Sequence, residues 1–176
     1  MKTGHTYKSL PSQMTRVQFL NCFGSVYESS PWIAETAWDL GQIDSKAIDS
    51  AEKLSSIFSQ IVDKASDEKK LALLNAHPDL AGKLAIAGKL TADSSKEQAG
   101  ADLQNCTKEE FEQFQKLNTN YKEKFGFPFI LAVQGYQRSE ILKIFEKRIK
   151  NSIEEEYKVA LAQVNRIALL RLSRIE

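Results

Sequence analysis

The stretch SKAIDSAEKLSSIFSQIVDKA, Ser45 to Ala65, decides how the rest of the chain is read. Ile48, Ala51, Leu54, Phe58, Ile61 and Ala65 recur in it at intervals of three or four residues, which keeps them on one face of a helix. A long amphipathic helix is therefore expected from Ser45 onward. The same signals repeat on either side. Thr15 and Gln18 have capping-box spacing ahead of Val17, Phe19, Leu20 and Phe23, and Gly24 can end that helix. Ser30 followed by Pro31 reads as an N-cap with proline at the first helical position, opening a helix through Trp32, Ile33, Ala37 and Trp38. Ser66 caps the next one.

Downstream, His77 precedes Pro78 and is pushed towards extended geometry, so a helix is expected to open at Pro78. Ser94 with Glu97, Thr107 with Glu110, and Ser152 with Glu155 have capping-box spacing, and Ser139 is expected to open a further helix. The segment Ala85 to Gly100, rich in Gly, Ser and Thr, looks least helical. Gly126 and Pro128 break the periodicity inside Phe125 to Phe129, so the chain must turn there while still apolar. No period-two stretch and no Asn-Gly or Asp-Gly turn occurs. The fold class is all-α: a single irregular bundle of about eight helices over residues 15–176, preceded by a flexible N-terminal segment, 1–14.

Length and composition agree. The 176 residues are one ordinary domain's worth of chain, enough to bury roughly 70% of the unfolded surface. Lys and Arg number 24 against 23 Asp and Glu, a formal charge of +1, with 42% hydrophobic residues. Such a balance argues against nucleic-acid binding, which draws on phosphate neutralisation. It also argues against a membrane protein, and the apolar run Phe127 to Val133 is far short of a bilayer span. The polar N-terminus has no secretory h-region, and two distant cysteines, Cys22 and Cys106, fit a reducing compartment; the expected location is inside the cell. Cys22, among Phe19, Leu20 and Phe23, reads as a small buried hydrophobe.

Candidate chemistry is sparse. His5 lies in the tail, which leaves His77 for acid or base work near neutral pH. His77 could equally be a helix-capping residue. Glu97 could be a structural capping glutamate, and Arg166 and Arg171 could answer a helix dipole, although Arg171 sits between Leu170 and Leu172, where an arginine often has a specific anionic or carbonyl partner. Phe125, Phe127 and Phe129 read by default as core. No HxH, HExxH, clustered cysteine, GxGxxG or GxxxxGK pattern is present, so no metal and no cofactor is expected.

Taken in order, His77-Pro78-Asp79-Leu80-Ala81-Gly82-Lys83, then Leu90-Thr91 with Ser94, Glu97 and Gln98, then Phe125-Gly126-Phe127-Pro128-Phe129-Ile130 closely resemble the OHCU decarboxylase family of ureide metabolism. OHCU is 2-oxo-4-hydroxy-4-carboxy-5-ureidoimidazoline. Glu28 with Ser30-Pro31-Trp32, and Arg166-Ile167 through Leu170-Arg171-Leu172, extend the match over about residues 15 to 174. The resemblance implies a cofactor-independent carboxy-lyase, usually a homodimer, that turns OHCU into (S)-allantoin at the end of urate conversion. It also implies a functional link to urate oxidase and hydroxyisourate hydrolase. By resemblance His77 and Glu97 are catalytic. Pro78, Ser94, Ser95, Lys96, Glu97 and Gln98, the backbone of Phe129, Ile130, Leu131, Ala132 and Val133, and Arg171 in preference to Arg166 would bind the ureide. Two other readings are a decarboxylase of a related ureide and a non-catalytic helical binding module; near-neutral charge and the His77, Ser94, Glu97 and Arg171 set weigh against the module.

Overall fold

A computed structural model describes residues 7–43, 46–82 and 90–175. Among these are eight α-helices and no strand: α1 Arg16–Phe23, α2 Trp32–Asp39, α3 Ala51–Lys64, α4 Asp67–Asn75, α5 Ala92–Gly100, α6 Lys108–Phe125, α7 Arg138–Arg148 and α8 Ile153–Leu172. The all-α reading holds. The chain divides into two compact units, one formed by residues up to Ala76 with those from Asn165 onward, the other by His77–Val164.

Local capping signals place most helix starts. Thr15 and Gln18 form the expected capping box on α1, as Thr107 and Glu110 do on α6. Ser66 accepts from the Lys69 N–H at the start of α4, and Ser152 exchanges hydrogen bonds with Glu155 ahead of α8. α3 starts later than its periodicity suggests. Ser50, not Ser45, is its N-cap, and a 3-10 turn at Lys46–Ile48 precedes it; Ser45 itself lies outside the described residues. The cause is tertiary: the Asp49 carboxylate takes both the N–H and the hydroxyl of Ser12, at 2.9 and 2.6 Å. α2 begins after Pro31, with no side-chain cap from Ser30, and α7 starts one residue ahead of Ser139.

In the first unit Phe19, Phe23 and Phe58 are fully buried, with the Phe19 ring 5.0 Å from Phe23, 5.5 Å from Trp38 and 6.4 Å from Phe58. Burying each such ring is worth about 1.5–3 kcal/mol. Cys22 does not share that environment. It is exposed, because it precedes Phe23 by about 100° of helix rotation and an eight-residue helix buries only one stripe. Ahead of α1, Tyr7 is buried against Phe23.

In the second unit Tyr121 is the hub. Its ring lies 4.5 Å from Phe125, 5.9 Å from Phe127, 5.5 Å from Phe129 and 5.6 Å from Phe145. Burial pushes the hydroxyls of Tyr7, Tyr27 and Tyr121 well above the ordinary tyrosine range, with the Glu156 carboxylate adding to the effect at Tyr121. Above about pH 10 the unfolded chain releases tyrosine protons that the folded chain retains. The unfolded state then binds fewer protons, so stability must fall as pH rises through that point. Urea midpoints measured from pH 8 to pH 11 are expected to be level at first and then to drop; a midpoint unchanged at pH 11 would contradict the burial of these hydroxyls.

Candidate active site

His77 follows Ala76, the C-cap of α4, and the structure shows no helix starting at Pro78. Residues 77–82 are instead an irregular turn, in which Ala81 adopts a left-handed φ of 48°. That conformation costs a non-glycine residue roughly 1–2 kcal/mol, and the surroundings hold it there. The Ala81 N–H donates to Gln98 Oε1 at 3.1 Å, and its carbonyl accepts from Gln115 Nε2 at 3.0 Å. Gln98 Nε2 also donates to the Asp79 carbonyl, Asn118 Nδ2 to the Leu80 carbonyl at 2.9 Å, and Lys122 Nζ pairs with the Asp79 carboxylate at 2.6 Å. Helix hydrogen bonds are thus replaced by side chains from α5 and α6. Gly82 completes the turn, since a Cβ there would lie 2.8 Å from the Asp79 Cβ. Lys83 and the rest of the stretch to residue 89 lie outside the described residues.

The result is a histidine buried to 8% exposure on a turn fixed at five points. It is therefore not the N-cap of a helix opening at Pro78. The same clamp brings α5 against the turn. Ser94 and Gln98, four residues apart, are both buried on one face, with Glu97 half-buried beside them, Ser95 half-buried and Lys96 exposed. The Ser94 to Glu97 capping box does not form, because Thr91 caps α5 and takes the Ser94 N–H on its hydroxyl. Glu97 sits well inside the helix, where it has no capping task. The stretch from Ala92 to Gly100 is helical despite its composition, since Thr91 supplies the cap.

The second candidate segment is the apolar stretch after α6. Gly126 ends that helix with φ 79°, a left-handed conformation that glycine adopts at little cost. Phe127 to Val133 then run buried and outside any helix. Backbone there needs partners, and side chains provide them. Arg148 Nη1 donates to the Ile130 carbonyl at 2.7 Å while its guanidinium lies 4.5 Å from the Phe129 ring centre, and Gln163 Oε1 accepts from the Ala132 N–H at 3.0 Å. Arg148 is held in turn by Glu156, fully buried, whose carboxylate also takes the Tyr121 hydroxyl and, at 2.8 Å, the Asn151 amide. The peptide N–H and carbonyl of Leu131 form no hydrogen bond among the described residues. The same holds for the N–H and carbonyl of Phe127 and Phe129, the carbonyls of Pro128 and Ala132, and the N–H groups of Ile130 and Val133, so the stretch offers several peptide groups to a ligand.

α6 serves both segments, through Gln115, Asn118 and Lys122 on one side and Tyr121 and Phe125 on the other. Arg171 belongs to the first unit. Buried to 4% exposure, it pairs with Glu28 at 2.9 Å and donates to the Val26 carbonyl. Arg166 is exposed. Gln115, Asn118, Arg148 and Glu156 escaped the sequence reading. Asn118 left one trace there: it occupies the buried stripe of α6 between Phe114 and Tyr121, where a polar residue calls for a partner.

A family model described as OHCU decarboxylase matches residues 12–173. The chain belongs to that family. The 2-oxo-4-hydroxy-4-carboxy-5-ureidoimidazoline decarboxylase of Haloferax volcanii is 40% identical over 155 residues, covering 88% of this chain and 87% of its own. The uric acid degradation bifunctional protein of a Bacillus species is 35% identical over 164 residues, 93% of this chain but 31% of that longer protein. A crystal structure of (S)-allantoin synthase superposes with a TM-score of 0.71 at 32% identity, covering 92% of this chain and 51% of the other. The HPDLAG turn and the FGFPF bend occur in this chain in that order, and each contains a non-helical segment held by side chains from the helices. No described helix is long and apolar enough to cross a membrane.

Proposed function

We propose that this chain decarboxylates OHCU to (S)-allantoin in urate degradation, with His77 as the acid/base group. The observation that carries the reading is the burial of His77 on a turn clamped by α5 and α6, within a chain that belongs to the OHCU decarboxylase family. Breaking the bond to the carboxylate leaves an electron pair on the ring carbon that also bears the hydroxyl. The adjacent imine nitrogen accepts that pair and takes up a proton, giving an enol and CO2. The enol then loses its hydroxyl proton and gains a proton on the ureido-bearing carbon. The substrate supplies its own electron sink, so the protein's work is orientation and one-sided proton delivery.

His77 exchanges the proton at the hydroxyl and ring. Glu97 accepts the ureido or ring N–H groups, a task suited to a carboxylate and its two oxygens. Pro78 flanks His77, while Ser94, Ser95, Lys96 and Gln98 form the α5 side; Gln98 contributes through the turn it holds. The backbone of Phe129, Ile130, Leu131, Ala132 and Val133 supplies donors and acceptors to the ureide and keeps water from the enol. A homodimer, a cytoplasmic location and a working link to urate oxidase and hydroxyisourate hydrolase are carried over from the family resemblance. One relative being a bifunctional uric acid degradation protein supports the link.

The test is a circular-dichroism time course of allantoin formation, with urate oxidase and hydroxyisourate hydrolase generating OHCU in place. The chain is expected to accelerate the reaction and yield the (S) enantiomer. A rate equal to the spontaneous one, with racemic product, would overturn the proposal.

A further inference from the structure

In the first unit, the end of α3, the start of α4 and α2 with the residues after it enclose a cleft of about 360 Å³. That volume is near the low end of the roughly 300–1,000 Å³ typical of small-molecule sites. It has room for one fused ring system. Trp32, Leu40 and Ile61 give it apolar surface, and Lys64 and Lys69 line it with no acidic side chain among the lining residues. Neither ammonium has a carboxylate within ion-pair distance among the described residues. Lys69 is nevertheless placed, with Nζ 4.9 Å from the centre of the Trp32 ring. Gln42 also lines the cleft, and its amide oxygen is hidden from solvent without a hydrogen-bond donor. A buried acceptor left unpaired is costly. Rotation of that amide towards a ligand N–H would remove the cost.

We propose that this cleft binds a planar heterocyclic anion with N–H donors along its edge. The ring would pack on Trp32 and Ile61, the negative charge would answer Lys64 and Lys69, and an edge N–H would reach Gln42. This reading does not depend on the decarboxylation site, since every lining residue falls between Trp32 and Lys69. Calorimetric titration of the intact chain tests it, with urate as the anionic probe and hypoxanthine as a planar counterpart that is uncharged at neutral pH. Urate is expected to bind with 1:1 stoichiometry, about tenfold or more tighter than hypoxanthine. The double variant Lys64→Gln/Lys69→Gln, both positions being exposed, is expected to keep the parent's helical spectrum and to weaken urate by a similar factor. His77→Ala is expected to bind urate as the parent does. Absence of saturable heat, urate affinity that survives the double lysine change, or urate affinity that vanishes in His77→Ala would each overturn the proposal.

Discussion

Glu156→Ala is expected to lose about 3–5 kcal/mol of folding stability, the typical cost of removing one member of a buried ion pair. Globular domains have only about 5–15 kcal/mol in total, so the variant should be marginal at best near body temperature. The size follows from what one carboxylate does. Glu156 is fully buried and receives Arg148, the Tyr121 hydroxyl and the Asn151 amide at once. Its loss leaves an unpaired guanidinium in the interior and a tyrosine hydroxyl with no acceptor. Urea unfolding of Glu156→Ala beside Glu154→Ala checks this. Glu154 stands two residues away and pairs with Lys158 on the exposed side of the helix, so its removal should leave the midpoint close to the parent's. Equal midpoints for the two variants would refute the account. Glu156→Gln retains an oxygen acceptor and should fall between them. Arg148 also holds the Ile130 carbonyl, so Glu156→Gln, where it folds, is expected to lose turnover as the stretch from Phe129 to Val133 loosens.

Those two glutamates also show where sequence reading stops. Glu154, Glu155 and Glu156 stand together in the first turn of α8, where any acidic residue is favoured by the helix dipole. Nothing local distinguishes the buried one. Capping pairs such as Thr15 with Gln18 and Thr107 with Glu110 were legible because donor and acceptor lie three residues apart. Where two caps compete, as Thr91 and Ser94 do, packing decides: Ser94 is buried and Thr91 exposed. The turn after His77 was beyond local rules altogether. Pro78 reads as a helix start, yet the contacts that make it a turn come from residues 17, 34, 38 and 43 positions away. HPDLAG and FGFPF were legible as motifs because each is a contiguous segment. The polar residues that hold them are scattered along α5, α6, α7 and α8 and form no motif.

His77→Ala is expected to bring the largest loss of turnover, about 10²–10⁴-fold, the range for removing a positioned acid or base. The turn itself should survive, since side chains of α5 and α6 hold it through Asp79, Leu80 and Ala81. An unchanged far-ultraviolet spectrum and melting temperature would therefore accompany the loss, assigning it to proton transfer and not to unfolding. Product configuration carries the sharper information. If His77 delivers the proton to the ureido-bearing carbon, allantoin made in the presence of the variant should lose its (S) excess as well as its rate. If His77 acts only at the hydroxyl, the enol would form slowly but still be protonated on one face, so the (S) excess should persist. Glu97→Gln separates a third contribution. Glu97 lies within α5, which Thr91 caps, and glutamine keeps its size and an oxygen acceptor, so the change should leave the helix in place while removing the charge that accepts the ureido N–H groups. A fall in kcat/KM without a fall in melting temperature is the expected result; parental kinetics would remove Glu97 from the mechanism and leave His77 to act with the backbone of Phe129 to Val133.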